Sequence, residues 1–217
     1  MNFGLRVMGD TRHRATTAIA FVNSGKGSQP TAGETASITY SPTAGNAVLA
    51  MIALGSSVTA LTCVDNNSNA LTSGGSGLSW LCYGFAKSGA TSYTYNWTTA
   101  NSKAVMLIVE YSHVGGFGTL LANSGSNASN PNVSPIAPSV NNVIIGLLSC
   151  AVVNITFTSI GDGSIVTQNA VTGIPASASA VQYPPTLPST LTAGPYLLEV
   201  SPSTAESWAA RGIALLP

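Results

Sequence analysis

The chain alternates between two patterns of apolar and polar residues, and both are patterns of β-strands. Thr91, Tyr93, Tyr95 and Trp97 interleave with Ser92, Thr94 and Asn96, the clearest period of two in the sequence. Ala36, Ile38 and Tyr40 do the same against Thr35, Ser37 and Thr39. Such segments predict strands with one face buried and one polar. Elsewhere the alternation disappears: Val48–Leu54, Leu78–Ala86, Val105–Tyr111 and Val143–Val153 are nearly continuous apolar runs bounded by Gly, Asn or Ser. These predict central strands of a two-layer core. Ala209–Leu215 predicts a last strand, interrupted only by Arg211 and Gly212.

Turn chemistry separates the runs. Asp65–Asn69 and Ser73–Gly77 divide neighbouring strands, and prolines mark longer loops at 131–138 and 184–188. No segment keeps helical periodicity for three turns, so helix is expected to be minor. The fold class predicted is all-β: an antiparallel two-sheet jelly-roll-like sandwich over residues 31–217. Residues 1–30 read as an extended N-terminal arm and linker, with Ala15–Val22 as their one strand candidate. The stretch from Met1 to Arg14 has no apolar core of a secretory signal. The longest apolar runs fall far short of the roughly 20 residues a membrane helix requires, so no membrane partner is expected.

Charge changes the picture most. Seven Lys or Arg balance seven Asp or Glu in 217 residues, 6% of the chain, where about 25% is usual. Solubility therefore rests on Ser, Thr, Asn and Gly. Zero net charge gives little attraction to phosphate, which disfavours nucleic acid as a partner. Few titratable groups are left to gather into a catalytic centre, so no enzyme activity and no cofactor are expected.

In order, VLAMIAL (Val48–Leu54), VTALTCVDNNSNALT (Val58–Thr72), Trp80–Ala86, YTYNWT (Tyr93–Thr98), VMLIVEYSHV (Val105–Val114), VIIGLLSCAV (Val143–Val152) and SWAARGIAL (Ser207–Leu215) form a recognisable succession. It resembles the jelly-roll-like sandwich domain of tailed-phage virion proteins and some bacterial surface proteins, over about Thr35 to Pro217. The most specific pieces are the Asp65–Asn69 turn and Glu110-Tyr111-Ser112. Ser68 and His113 stand where that pattern has glycine, at positions where glycine eases the backbone. The resemblance implies a fold and a particle or surface setting, and no catalytic residues.

Asp65-x-Asn67-x-Asn69 opens like a calcium loop, but Ala70 and Ser76 occupy the glycine and bidentate-glutamate places. An Asx-rich turn is the better reading, and no metal site is expected. Cys63, Cys82 and Cys150 lack metal-ligand spacing and read as buried thiols, with a Cys63–Cys82 bridge left open. His13 and His113 do not pair. Ser76 lacks the second glycine of a nucleophile elbow, and Gly25-Lys26-Gly27-Ser28 lacks full phosphate-loop spacing. Glu110, with Glu199 or Glu206, is the remaining carboxylate candidate. A carboxylate bonded to turn amides or to Arg211 is the favoured reading of Glu110.

Two functions follow as expectations. The first is a non-catalytic structural protein of a tailed-phage particle, decorating or cementing the capsid as a homo-oligomer at the virion surface. Arg6, Arg12 and Arg14 of the arm would bind the major capsid protein or another virion subunit. The second is a carbohydrate-binding or adhesin module of a tail or fibre. There Tyr93, Tyr95 and Trp97 would stack on host glycans; filling a core is the default reading of the three, and burial would favour the first function.

Overall fold

The computed structural model describes residues 17–98, 101–126, 130–138, 141–187 and 193–217. Strands and their connections make up all of the described residues, without a helix, and every pairing is antiparallel. The first seven strands are β1 (Ala20–Gly33), β2 (Thr35–Thr39), β3 (Ala47–Val58), β4 (Leu61–Asp65), β5 (Ala70–Phe85), β6 (Ser92–Trp97) and β7 (Ser102–Ser112). They form one sheet in the order β1-β7-β3-β5-β4-β6-β2.

This sheet curls until its two edge strands, β1 and β2, lie side by side. The long β5 makes the curl possible by serving two neighbours. Its start pairs with β4 through Cys63↔Leu71, and its end pairs with β3 from Ser79 to Phe85. Between these regions lies the glycine-rich stretch Ser73–Gly77. At Gly75 a Cβ would sit 2.5 Å from the Ser79 carbonyl oxygen, so only glycine allows the strand to fold this closely upon itself.

The second half of the chain adds β8 (Gly116–Phe117), β9 (Leu121–Gly125), β10 (Asn132–Val133), β11 (Ile136–Ala137), β12 (Val143–Cys150) and β13 (Phe157–Ser159). It ends with β14 (Ser164–Ala170), β15 (Ser177–Tyr183), β16 (Gly194–Pro195), β17 (Leu198–Pro202) and β18 (Trp208–Leu216). A second large sheet runs β14-β15-β12-β18-β8, with β9 also paired to β18. Two small sheets, β10-β17-β13 and β11-β16, complete the set.

Side-chain direction explains the continuous apolar runs. On β3, Val48, Ala50, Ile52 and Leu54 point into the curled sheet, where they meet Ile38, Tyr93, Tyr95, Trp97 and Met106. Leu49, Met51 and Ala53 point outward into a second core against Val143, Ile145, Leu147, Ile213 and Leu215 of the other large sheet. On β12, Ile144 and Leu148 face a third core roofed by Val133, Phe157, Leu198 and Val200. Strands β3, β7 and β12 are thus apolar on both faces because both faces are buried. The expected two layers around one core are instead several layers enclosing three cores. Hydrogen bonds tie the layers as well: the Tyr111 hydroxyl on β7 donates to Gln182 Oε1 on β15 at 2.7 Å.

The N-terminal boundary also differs from expectation. Residues 20–30, read as arm and linker, belong to β1, which pairs with β7 from Ala20↔Ser112 to Gly33↔Ser102. Its glycines are packing sites. A Cβ at Gly25 would lie 2.8 Å from the Tyr40 ring and 2.9 Å from Ile108 Cγ2, and one at Gly27 would crowd Met106 and Ile38. Side chains from β2 and β7 fill the space that a residue larger than glycine would occupy. Pro30 falls within an irregularity between Gln29 and Gly33, where no ladder hydrogen bond is required of it.

Ser68 and His113, which replace the glycines of the resembling pattern, have φ values of 64° and 61°. Both positions therefore demand the left-handed conformation that glycine adopts freely, at a cost of about 1–2 kcal/mol for a residue with a Cβ.

Candidate functional site

The residues singled out for binding do not come together. Arg6, Arg12 and Arg14 lie outside the described residues. Tyr93, Tyr95 and Trp97 are 1%, 0% and 3% exposed and face into the curled sheet. Rings enclosed in this way present no face to a sugar: the default core reading describes them, and the alternative of an aromatic glycan platform is corrected. Burial raises the pKa of Tyr93 and of Tyr95, and neighbouring acidic groups add to the effect.

Glu110 is buried near the end of β7 and accepts three hydrogen bonds. Oε2 takes the Tyr40 hydroxyl at 2.9 Å; Oε1 takes the Thr43 amide at 3.0 Å and Asn46 Nδ2 at 2.6 Å. The turn-amide alternative describes this carboxylate, and Arg211 is not among its partners. Burial, then the hydrogen bond to Glu110 and its charge, raise the Tyr40 pKa. The tyrosine hydroxyl therefore stays a donor. This arrangement closes the link between β2 and β3; its acceptor positions are occupied by the protein's own groups.

Asp65 organises the turn after β4. Its Oδ1 accepts the backbone amides of Asn67 at 2.9 Å and Asn69 at 2.8 Å, and Asn69 Nδ2 reaches Oδ2 at 2.9 Å. An Asx-centred turn is what these bonds describe. Burial by itself would raise the carboxyl's pKa, but the hydrogen bonds from Asn69 and Asn67 outweigh it, so the net shift is downward.

A carboxyl held below its unfolded value stabilises the fold above that value, roughly pH 4, and loses its contribution as pH falls through the folded value. Asp65→Asn is expected to cost about 1–2 kcal/mol at pH 6, with the gap to the native chain closing below about pH 4. Denaturant titrations of both proteins across that range measure it. A gap that stays constant to pH 2 would mean that ionised Asp65 does not hold the turn.

The three cysteines are buried free thiols. Cys63 and Cys82 adjoin inside the curled sheet, and the neighbouring Cys63 sulfur, together with burial, raises the Cys82 pKa. Burial, with a smaller contribution from Glu206, pushes the Cys150 thiol up to about 12. Thiols held protonated in this way are poor nucleophiles and poor ligands. No group of three or more His, Cys, Asp or Glu side chains among the described residues is placed to hold a metal ion.

A cavity of mixed polar and apolar lining lies at the other large sheet. About 470 Å³ in volume, it opens where the end of β3, the middle of β5 and strand β9 meet the start of β18; its lining includes Ser57, Ser76, Asn123, Ser124, Trp208 and Arg211. Arg211 is 3% exposed. Its Nη1 donates to the Ala210 carbonyl at 2.8 Å, and its Nη2 to the Ser76 carbonyl at 3.0 Å and to Ser76 Oγ at 2.9 Å. Nε has no acceptor among the described residues. All of these acceptors are neutral, and burial alone lowers the guanidinium's pKa. A guanidinium nevertheless stays charged.

The alternation along β18 positions this side chain: Trp208 and Ala210 turn into the third core, while Ile213 and Leu215, on the same face as Arg211, turn toward the curled sheet. In the sequence, Arg211 reads as an interruption of an apolar strand, and that anomaly was the available signal for this site. No family model, curated protein or solved structure matches the chain.

Proposed function

We propose that this chain is a non-catalytic structural protein of a tailed-bacteriophage particle. It decorates or cements the capsid as a homo-oligomer, using a jelly-roll-like sandwich as a stiff spacer. The supporting observation is how the fold spends its few charges. Asp65, Glu110 and Arg211 are buried, which depletes an outer surface that the composition already leaves sparse. That surface exposes hydroxyls, amides and single apolar residues such as Ile136, 62% exposed, and Ile160, 50% exposed. Low surface charge removes the repulsion that keeps proteins apart and favours close contact between neighbours. Three apolar cores supply stiffness.

The basic arm, with Arg6, Arg12 and Arg14, would anchor the body to the major capsid protein or an adjoining subunit. Mass spectrometry of purified particles should find a copy number comparable to that of the capsid subunit. Deleting residues 1–14 should abolish binding to undecorated particles while leaving the thermal melt unchanged. A few copies per particle, with undiminished binding after deletion, would overturn this reading. The second reading, a carbohydrate-binding or adhesin module, loses its aromatic platform to the core; the cavity at Arg211 is the observation that keeps it.

A further inference from the structure

The structure assigns the cavity floored by Arg211 to the carboxylate of a small acidic sugar. This assignment stands on the cavity alone and is independent of any attachment to a particle.

Burying a guanidinium without a counter-charge costs several kcal/mol. Proteins ordinarily offset that cost with an Asp or Glu. Here the hydrogen-bonded partners of Arg211 among the described residues are two carbonyls and a serine hydroxyl, all neutral. The Nε–H is left without an acceptor among those residues. A buried, hydrogen-bonded and charge-unbalanced cation at the wall of an open cavity is the arrangement that an incoming anion completes.

The rest of the cavity narrows the ligand class. At about 470 Å³ it is far larger than a carboxylate needs and falls in the range of small-molecule sites. Beyond Arg211 its polar lining residues are uncharged: Ser57, Ser76, Asn123 and Ser124. Serines beside Leu78 and Trp208 suit a sugar ring, with its hydroxyl edge and apolar face, better than a multiply charged molecule. Ser76 is held in place by its bond to Arg211, and Asn123 by donating to Asn132 Oδ1 at 2.9 Å. Two of the wall groups are therefore fixed before any ligand arrives, which lowers the entropy cost of binding.

Calorimetric titration of the full chain with galacturonate and with galactose tests this. Galacturonate should bind at least ~10-fold more tightly than galactose, the ratio expected from one charge-assisted contact. Arg211→Met should bring that ratio to about 1. If Arg211→Met fails to fold, Ser57→Phe serves instead: it fills the mouth from an exposed rim position and leaves every bond of Arg211 intact. It should weaken galacturonate by a similar factor with an unchanged melting temperature. Equal affinity for the two sugars, or no binding of either, would overturn the assignment. Binding of acetate or hexaglutamate as tight as that of galacturonate would overturn the sugar and leave a bare carboxylate or an acidic peptide as the occupant.

Discussion

Replacing Glu110 by alanine is expected to lower the free energy of unfolding by about 3–5 kcal/mol. The side chain is 2% exposed and has no cationic partner among the described residues, so three donors do the work that water does for an exposed carboxylate. Those donors come from Tyr40, Thr43 and Asn46. All three lie at or beyond the end of β2 and before β3, while Glu110 itself sits opposite Val48 in the register of β7 with β3. The carboxylate thus pins the connection that carries the chain from one edge of the curled sheet to its middle. Alanine leaves a hydroxyl, an amide and a carboxamide N–H without their acceptor, and each orphaned buried donor costs about 1–3 kcal/mol before water recovers part of it. Glu110→Gln should cost less, about 1–2 kcal/mol. It keeps one carbonyl oxygen for the Thr43 amide and Asn46, while the Tyr40 hydroxyl can turn to accept from the new N–H. Guanidinium denaturation of the three proteins gives the comparison. An alanine variant within about 0.5 kcal/mol of native, the usual range of surface substitutions, would show that this carboxylate ties nothing down.

The same residue shows how much of the fold could be read in advance. Strand identity was legible because period-two alternation and bounded apolar runs are direct consequences of side chains leaving a strand on opposite faces. Layer number was not. A run such as Val48–Leu54 says that both faces of a strand are buried; it does not say against what. Whether the outer face meets a partner sheet, a small roof of short strands or the strand's own curled continuation depends on pairings between residues far apart in sequence. Thus Leu49 and Val48 look equivalent in the chain yet enter different cores. β1 was illegible for a related reason. Gly25, Lys26, Gly27 and Ser28 have the composition of a linker, and only the proximity of Tyr40, Ile38 and Ile108 reveals that its glycines are there for space.

Site legibility divides along the same line. Local chemistry was readable: the Asp65–Asn69 segment forms an Asx turn because its donors and acceptor are at most four residues apart. Ser68 and His113 stood out only because the resembling pattern has glycine there, and their left-handed backbone became visible in the structure. Arg211 was visible as an anomaly but not as a site. Its hydrogen-bond partner Ser76 is 135 residues away, and Asn123 and Ser124 reach the same cavity only through the pairing of β9 with β18. Glu110 and Arg211, the two buried charges that a sequence reading would pair, are each hydrogen-bonded to neutral groups instead, and Arg211 keeps Nε without an acceptor among the described residues.

Tyr95→Ala is expected to destabilise the fold by about 3–5 kcal/mol, the range for removing a buried aromatic side chain. Tyr95 is fully buried, and its position on β6 sets it between Cys63 of β4 and Ala36 of β2. Its ring reaches across the curled sheet, since its hydroxyl lies 3.4 Å from the Met51 carbonyl on β3. A hydrogen bond that long is weak, so Tyr95→Phe should cost less than about 1 kcal/mol, and the ring should carry nearly all of the effect. Tyr93→Phe provides the complementary control. Its buried hydroxyl has no partner among the described residues, so the substitution should be neutral or slightly stabilising. A binding platform would give the opposite pattern: alanine at an exposed stacking residue leaves the melting curve where it was and removes affinity for a sugar. Thermal and denaturant melts of Tyr95→Ala, Tyr95→Phe and Tyr93→Phe therefore separate the two roles. If Tyr95→Ala melts with the native chain, the curled sheet does not close around this ring, and the assignment of the alternating aromatic face to the core fails with it.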